Sequence, residues 1–200
     1  MKNTHSLLVL LETCILICVL MLFPWRTVYA VSVVERSFDE LLERADEVIY
    51  GQVTDIYSQQ LVNEQGGQIF TFVQFSNIKR VKNEKSSSKE TYLLRIAGGR
   101  VVNTVQMYPG IPQFVLGEHY VIFVRDNEKT AFPLVGIQQG LIHARTKSDG
   151  RVNLLFNASN RKLKTHFLDL KNRRSQTVDE KNIDPEDFIA TLREYWLSKK

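Results

Sequence analysis

One stretch of the chain, Gln68–Val81, limits the possible folds more than any other. Laid out as a strand, it puts Ile69, Val73 and Phe75 on one face and Phe70 and Phe72 on the other. A strand that is apolar on both faces must be covered on both, so it belongs inside a sheet rather than at its edge. Val48–Tyr57, equally rich in residues that suit a pleated surface, precedes it, and Asn63-Glu64-Gln65-Gly66-Gly67 between the two reads as a turn. Further strands are expected at Thr91–Ala97, His119–Arg125, Phe132–Gln138, Leu141–Thr146 and Arg151–Phe156, with Ser148-Asp149-Gly150 as a hairpin turn. Lys82–Glu90, with its serines and charges, reads as a solvated loop. Short strands punctuated this often predict a mainly β fold, a small closed or partly open barrel of about six or seven strands, or a sandwich.

Helical signals lie at the two ends. Ser37 and Glu40 form a capping box ahead of Phe38, Leu41, Leu42 and Ala45, so 38–45 is a short amphipathic helix. From Asn157 the chain is polar and helical again. Asp184 as N-cap, Pro185 at the first helical position and Asp187 two residues later open a terminal helix to about Ser198. Phe188, Leu192, Tyr195 and Trp196 make its apolar stripe.

Residues 1–30 differ in kind. Cys14–Phe23 is an unbroken run of ten apolar residues, followed by Pro24 and by Val28-Tyr29-Ala30. That is the pattern of a secretory signal peptide cut after Ala30; an uncleaved anchor is the alternative, opposed by Glu12 inside the span. Both cysteines, Cys14 and Cys18, fall in this leader, so a chain beginning at Val31 has no disulfide, thiol nucleophile or cysteine metal site. The expected organisation is a signal peptide at 1–30, a β-barrel domain at 31–160 and a polar, mainly helical C-terminal extension at 161–200. A hydrophobic content of 44% supports one core, and a net charge of +4 is too small to call for a nucleic-acid partner.

Chemistry-bearing patterns are sparse. His119, His143 and His166 have no metal-site spacing, and there is no nucleophile elbow, Walker loop or dinucleotide fingerprint, so neither a metal nor a cofactor is expected. The most unusual segment joins two strands: Gly98, Gly99 and Arg100, then Pro109, Gly110, Pro112 and Phe114. Proline restricts φ and glycine permits positive φ, so the connection is a candidate for a shaped binding loop. A second candidate is the basic block Arg145, Lys147, Arg151, Arg161, Lys162, Lys164, Lys171, Arg173 and Arg174, opposed within 145–174 only by Asp149 and Asp169. Such a block can face an anionic surface or can simply be a solvated, partly paired face.

Ala45-Asp46-Glu47-Val48-Ile49-Tyr50-Gly51-Gln52-Val53 resembles the A-D-x-V-x-x-G-x-V opening of a group of bacterial exported proteins without assigned activity. Residues 109–123, from Pro109-Gly110-Ile111-Pro112 through Gly117-Glu118-His119-Tyr120 to Phe123, resemble their P-G-x-P-x-F-x-x-G-E-x-Y-V-x-F element. The order of short helix, Ala-Asp-Val strand, long second strand and Gly-Glu-x-Tyr strand is also similar to netrin-like domains, which include the tissue inhibitors of metalloproteinases. That resemblance implies an OB-like barrel. It does not bring the inhibitory mechanism, since those proteins chelate zinc through an N-terminal cysteine and are held by disulfides, and neither is available after Val31.

The expectation is therefore a secreted, non-catalytic module, periplasmic or extracellular, that binds another exported or envelope protein through the 98–114 connection. The alternatives are an exported hydrolase using His119 or His143 with a carboxylate, and an accessory protein tethered to an anionic surface through residues 145–174. Membrane contact is expected only through an uncleaved leader or that basic block.

Overall fold

The computed structural model describes residues 35–63, 66–82, 90–174, 176 and 178–200. The leader expected at 1–30, its two cysteines and the Val31 start lie outside the described residues, as do 83–89 of the solvated loop. Helix α1 (Phe38–Arg44) is followed by strands β1 (Glu47–Asn63), β2 (Gly66–Arg80) and β3 (Thr91–Ala97). Next come β4 (Gly99–Val101), β5 (Thr104–Gln106), β6 (His119–Val124), β7 (Leu141–Thr146) and β8 (Val152–Leu155). A single 3-10 turn, Ala158–Asn160, leads into α2 (Arg161–Arg173), and α3 (Pro185–Ser198) ends the chain.

The fold is mainly β. Six strands form one antiparallel sheet in the order β3-β2-β1-β6-β7-β8, while β4 and β5 form a separate two-stranded ribbon. Of the closed or partly open barrel expected, the closed form is not found: β3 and β8 are the two ends of an open sheet. Both ends are occupied by loops instead. At β3, the Asn127 side chain accepts from Arg95 N (3.1 Å) and donates to Leu93 O (2.8 Å), and Ala97 N donates to Ala131 O (2.8 Å). At β8, Leu154 N donates to Ile183 O (2.9 Å) and the Asn153 amide to Lys181 O (3.0 Å). Loops thus take three outward backbone groups of β3 and one of β8, which blunts both edges.

Two apolar layers follow from strands that are apolar on both faces. Val48, Tyr50, Val121, Phe123, Ile142 and Ala144 pack with α1, α2 and α3 through Phe38, Leu41, Leu163, Phe167, Phe188 and Leu192. Ile49, Val53, Val73, Phe75, Tyr120 and Ile122 face the other way, against Leu134, Ile111 and Phe114 of the inter-strand connections. The polar 161–200 segment is thus not peripheral, because its helices complete the first of these layers. As expected, β2 is central, between β1 and β3, but the second face of its outer half is not covered by a helix. Phe72 stacks on Tyr57 (ring centroids 5.1 Å apart) and the Arg95 guanidinium lies over Phe70 (4.6 Å).

The helix termini behave as their sequences predict. Ser37 and Glu40 close the capping box, and Asp184 accepts from Glu186 N (2.9 Å) and Asp187 N (3.0 Å). One expected strand is absent. Phe132–Gln138 contributes only a bridge from Leu134 to Val124, because Pro133 has no N–H to donate and Gly136 (φ 64°) and Ile137 (φ 52°) turn the chain away. The β4–β5 ribbon was not expected at all.

Ionisable groups are built into the helix layer. Lys82 is buried under the Trp196 ring (3.8 Å from its centroid) and donates to the Leu42 and Ala45 carbonyls at the end of α1. Burial pushes its ammonium down to about 8. His166 of α2 stacks on Phe38 of α1 (4.3 Å) and meets Tyr195 of α3 edge-on (5.3 Å), and its Nε2 is buried with no hydrogen-bond partner. Desolvation holds His166 below its ordinary 6.5, outweighing the opposite pull of Asp39 and Asp169. The unfolded chain then takes up a proton that the folded one resists, so stability is full above the unfolded value and falls as pH drops through and below it. Urea midpoints measured at pH 7.5 and 5.5 are expected to drop on acidification, and to drop less in His166→Phe; an equal drop would remove His166 from the cause.

Candidate functional site

The 98–114 connection is shaped by what it touches. Gly98 (φ 104°) continues the sheet beyond β3: its N–H donates to Ile69 O (2.8 Å) and its carbonyl accepts from Thr71 Oγ1 (2.8 Å). The Gln106 side chain then takes the place of a strand carbonyl, accepting from Ile69 N at 2.7 Å. Gly99 (φ 134°) lies against β1 and β2 so closely that a Cβ would sit about 2.5 Å from Thr71 Oγ1 and collide with Ser58 Oγ as well. These bonds hold the β4–β5 ribbon over the first two strands.

Farther along, Phe114 is wedged edge-on between Phe75 (5.7 Å) and Tyr120 (5.0 Å). The Tyr120 hydroxyl accepts from Val115 N (3.1 Å), and Gly117 N donates to Val53 O (2.8 Å). The connection is therefore pinned at both ends and bridges a cleft of about 420 Å³. Ile56, Ser58, Thr71, Val73 and Ile96 of the sheet line one side. Gly98, Gly99, Arg100, Val105, Met107, Tyr108, Pro112 and Phe114 line the other.

Five of the seven loop residues picked out from sequence thus converge on one cleft. Pro109 and Gly110 belong to the same connection but not to the lining; the Gly110 carbonyl accepts from the Gln138 amide (3.2 Å). Sequence reasoning missed the apolar rim. Val102 (87% exposed), Met107 (78%), Leu116 (64%) and Val115 (55%) stand in solvent, with Val105 and Tyr108 partly so. A signal for the ribbon was present: β-branched Val101, Thr104 and Val105 flank Val102-Asn103, a two-residue hairpin loop. Arg100 carries the cleft's charge and has no ion-pair partner among the described residues.

Compared with known proteins, the chain matches no family model, and neither curated proteins nor solved structures include a significant match to it. The reading of the cleft accordingly rests on its own geometry.

The other candidates fare differently. His143 pairs with Glu118 (Nε2 to Oε2, 3.0 Å) and stacks on Tyr120, while His119 stacks on Tyr50 and is held below its ordinary value by burial. Neither lines the cleft. In the basic block, Arg151 pairs with Asp149 (2.7 Å), Lys162 with Glu35 (3.1 Å), Lys164 with Glu180 (4.0 Å), Lys171 with Asp187 and Arg174 with Glu194. Lys147 bonds the Asn182 amide oxygen, and Lys171 is buried. Arg145, Arg161 and Arg173 have no ion-pair partner among the described residues. The block is therefore mostly engaged within the fold rather than presented as one free cationic face.

The contrast between two glycines tests the frame. Both Gly99 and Gly110 have positive φ, but nothing lies within 4 Å of a Cβ at Gly110. Gly110→Ala is expected to cost about 1 kcal/mol from backbone conformation alone. Gly99→Ala adds overlap with two hydroxyl side chains to that strain and is expected to cost on the order of 3 kcal/mol. Equal shifts in denaturant midpoint would show that the ribbon is not seated on Ser58 and Thr71.

Proposed function

We propose that this protein is an exported, non-catalytic interaction module that receives an apolar anchor of another exported protein in the cleft under the 98–117 connection. The observation that carries the reading is a pinned connection whose exposed side chains are apolar. Met107 lines the cleft, and Val102, Val115 and Leu116 stand exposed on the same connection within a few residues of lining positions, where a protein with no partner there has no use for them. Preorganisation lowers the entropy lost on binding, because the glycine, glutamine and hydroxyl contacts already fix the loop. Arg100 adds a cation that favours a carboxylate beside the partner's anchor.

Export is part of the proposal and rests on the leader pattern of residues 1–30. Kinship with netrin-like, OB-type domains belongs to it too, supported by the shared order of short helix, Ala-Asp-Val strand and Gly-Glu-x-Tyr strand. The hydrolase alternative has one observation in its favour, the His143–Glu118 pair. Among the described residues the pair bonds to itself and His143 stacks on Tyr120, with no serine or threonine hydroxyl bonded to either. Tethering through residues 145–174 is favoured less, since five of the nine cations already face a carboxylate.

Val105 and Met107 are exposed enough to change without disturbing the core. The double variant Val105→Asp, Met107→Asp is expected to keep the wild-type unfolding midpoint and to lose about tenfold or more in affinity for a secretome partner captured by the wild-type protein. An Arg151→Ala control should bind as wild type does. Retention of full affinity by the double variant would reject the cleft as the docking site.

A further inference from the structure

A second cavity, of about 360 Å³, lies where the outer end of the β1–β2 hairpin meets the 126–131 turn. Leu61, Phe70 and Ala131 give it an apolar side, and Arg95, Lys129 and Thr130 a polar one, with no carboxylate in the lining among the described residues. Arg95 is held in place from several directions. Its backbone N–H is bonded to Asn127, its guanidinium rests on Phe70, and its Nη2 donates to the Glu128 carbonyl. Its Nε is buried without a hydrogen-bond acceptor. Neither Arg95 nor Lys129 has an ion-pair partner among the described residues.

A guanidinium held over an aromatic ring, with no carboxylate partner among the described residues, is suited to an oxyanion, and the neighbouring ammonium and hydroxyl extend the donor set. The apolar side requires that the anion be attached to a hydrophobic body, and the volume is at the lower end of small-ligand sites. We infer that this cavity binds a small organic oxyanion, its carboxylate or phosphate on Arg95 and Lys129 and its hydrocarbon part against Phe70 and Leu61. The site goes beyond the docking cleft, and the two are lined by different residues.

The test titrates the full chain at low salt with benzoate, phenyl phosphate and uncharged benzamide by calorimetry. At least one anion should bind saturably, one per chain, with benzamide about tenfold weaker or more, since it lacks the charge the site is built for. Lys129 is exposed, so Lys129→Glu should fold normally and weaken the anion about tenfold through charge reversal. Arg95→Gln should abolish binding, and is read only where its unfolding midpoint stays near wild type, because Arg95 also covers Phe70. Whichever anion binds more tightly identifies the ligand as a carboxylate or a phosphate. No saturable binding, benzamide as tight as the anions, or an unchanged affinity in Lys129→Glu would overturn the site.

Discussion

The structure depends on one constraint: where β1 and β6 pair they are apolar on both faces, so this part of the sheet cannot leave either face in water. Val48 and Tyr50 point to one layer and Ile49 to the other, and Val121 and Phe123 alternate with Tyr120 and Ile122 in the same way. Each fully buried residue of this size is worth roughly 1.5–3 kcal/mol relative to exposure, so both layers have to be supplied. One comes from the chain's two ends, α1 before the strands and α2 and α3 after them. The other comes from the middle, the long connections between β3, β6 and β7. A helix layer drawn from both termini also explains the cross-ties at its corners. The Tyr195 hydroxyl donates to Asp39 (2.7 Å) across 156 residues of sequence, and Lys82 caps α1 from beyond the end of β2.

An open sheet carries a second requirement, that its edges not recruit other chains. Here Asn127 and Ala131 at β3 and Ile183 at β8 take outward backbone groups, and Lys181 O takes the Asn153 side chain. Capping of this kind does what closure into a barrel would have done. It also means that the surfaces left for recognition are made by side chains and loops rather than by exposed strand backbone.

Much of the frame was legible because the responsible signals are local. The capping box at Ser37, the Asp184-Pro185 helix start and the two-faced apolar pattern of Gln68–Val81 each act within a few residues, and each leads to the element observed. Closure was not legible, since strand count and spacing are the same for an open sheet capped by loops. Phe132–Gln138 has strand-like composition, but Pro133 and the positive φ of Gly136 and Ile137 prevail over it. The cleft was half visible. Glycine and proline marked the connection, whereas its seat on Ser58, Thr71 and Ile69 depends on contacts across about 30 to 40 residues, which no local pattern encodes. The pairing of 145–174 was partly legible: Asp149 lies inside the block and Glu180 and Asp187 shortly after it, whereas Glu35 and Glu194 are brought to it only by the fold.

The division of labour within the 98–117 connection bears on what it is for. Two strands of three residues cannot cover a hydrophobic face of their own, so the ribbon owes its position to polar contacts: Gly98 on Ile69 and Thr71, and Gln106 on Ile69. Phe114 provides the apolar anchor at the far end. Val102, Met107 and Leu116 take no part in either, and each forgoes most of the burial free energy an apolar side chain of its size would gain, on the order of 1–2 kcal/mol. Folding alone gives no reason to place such residues on a connection held at both ends. The docking role proposed above would supply one, because a rigid loop that presents unburied apolar side chains has already met the ordering cost that binding would otherwise incur.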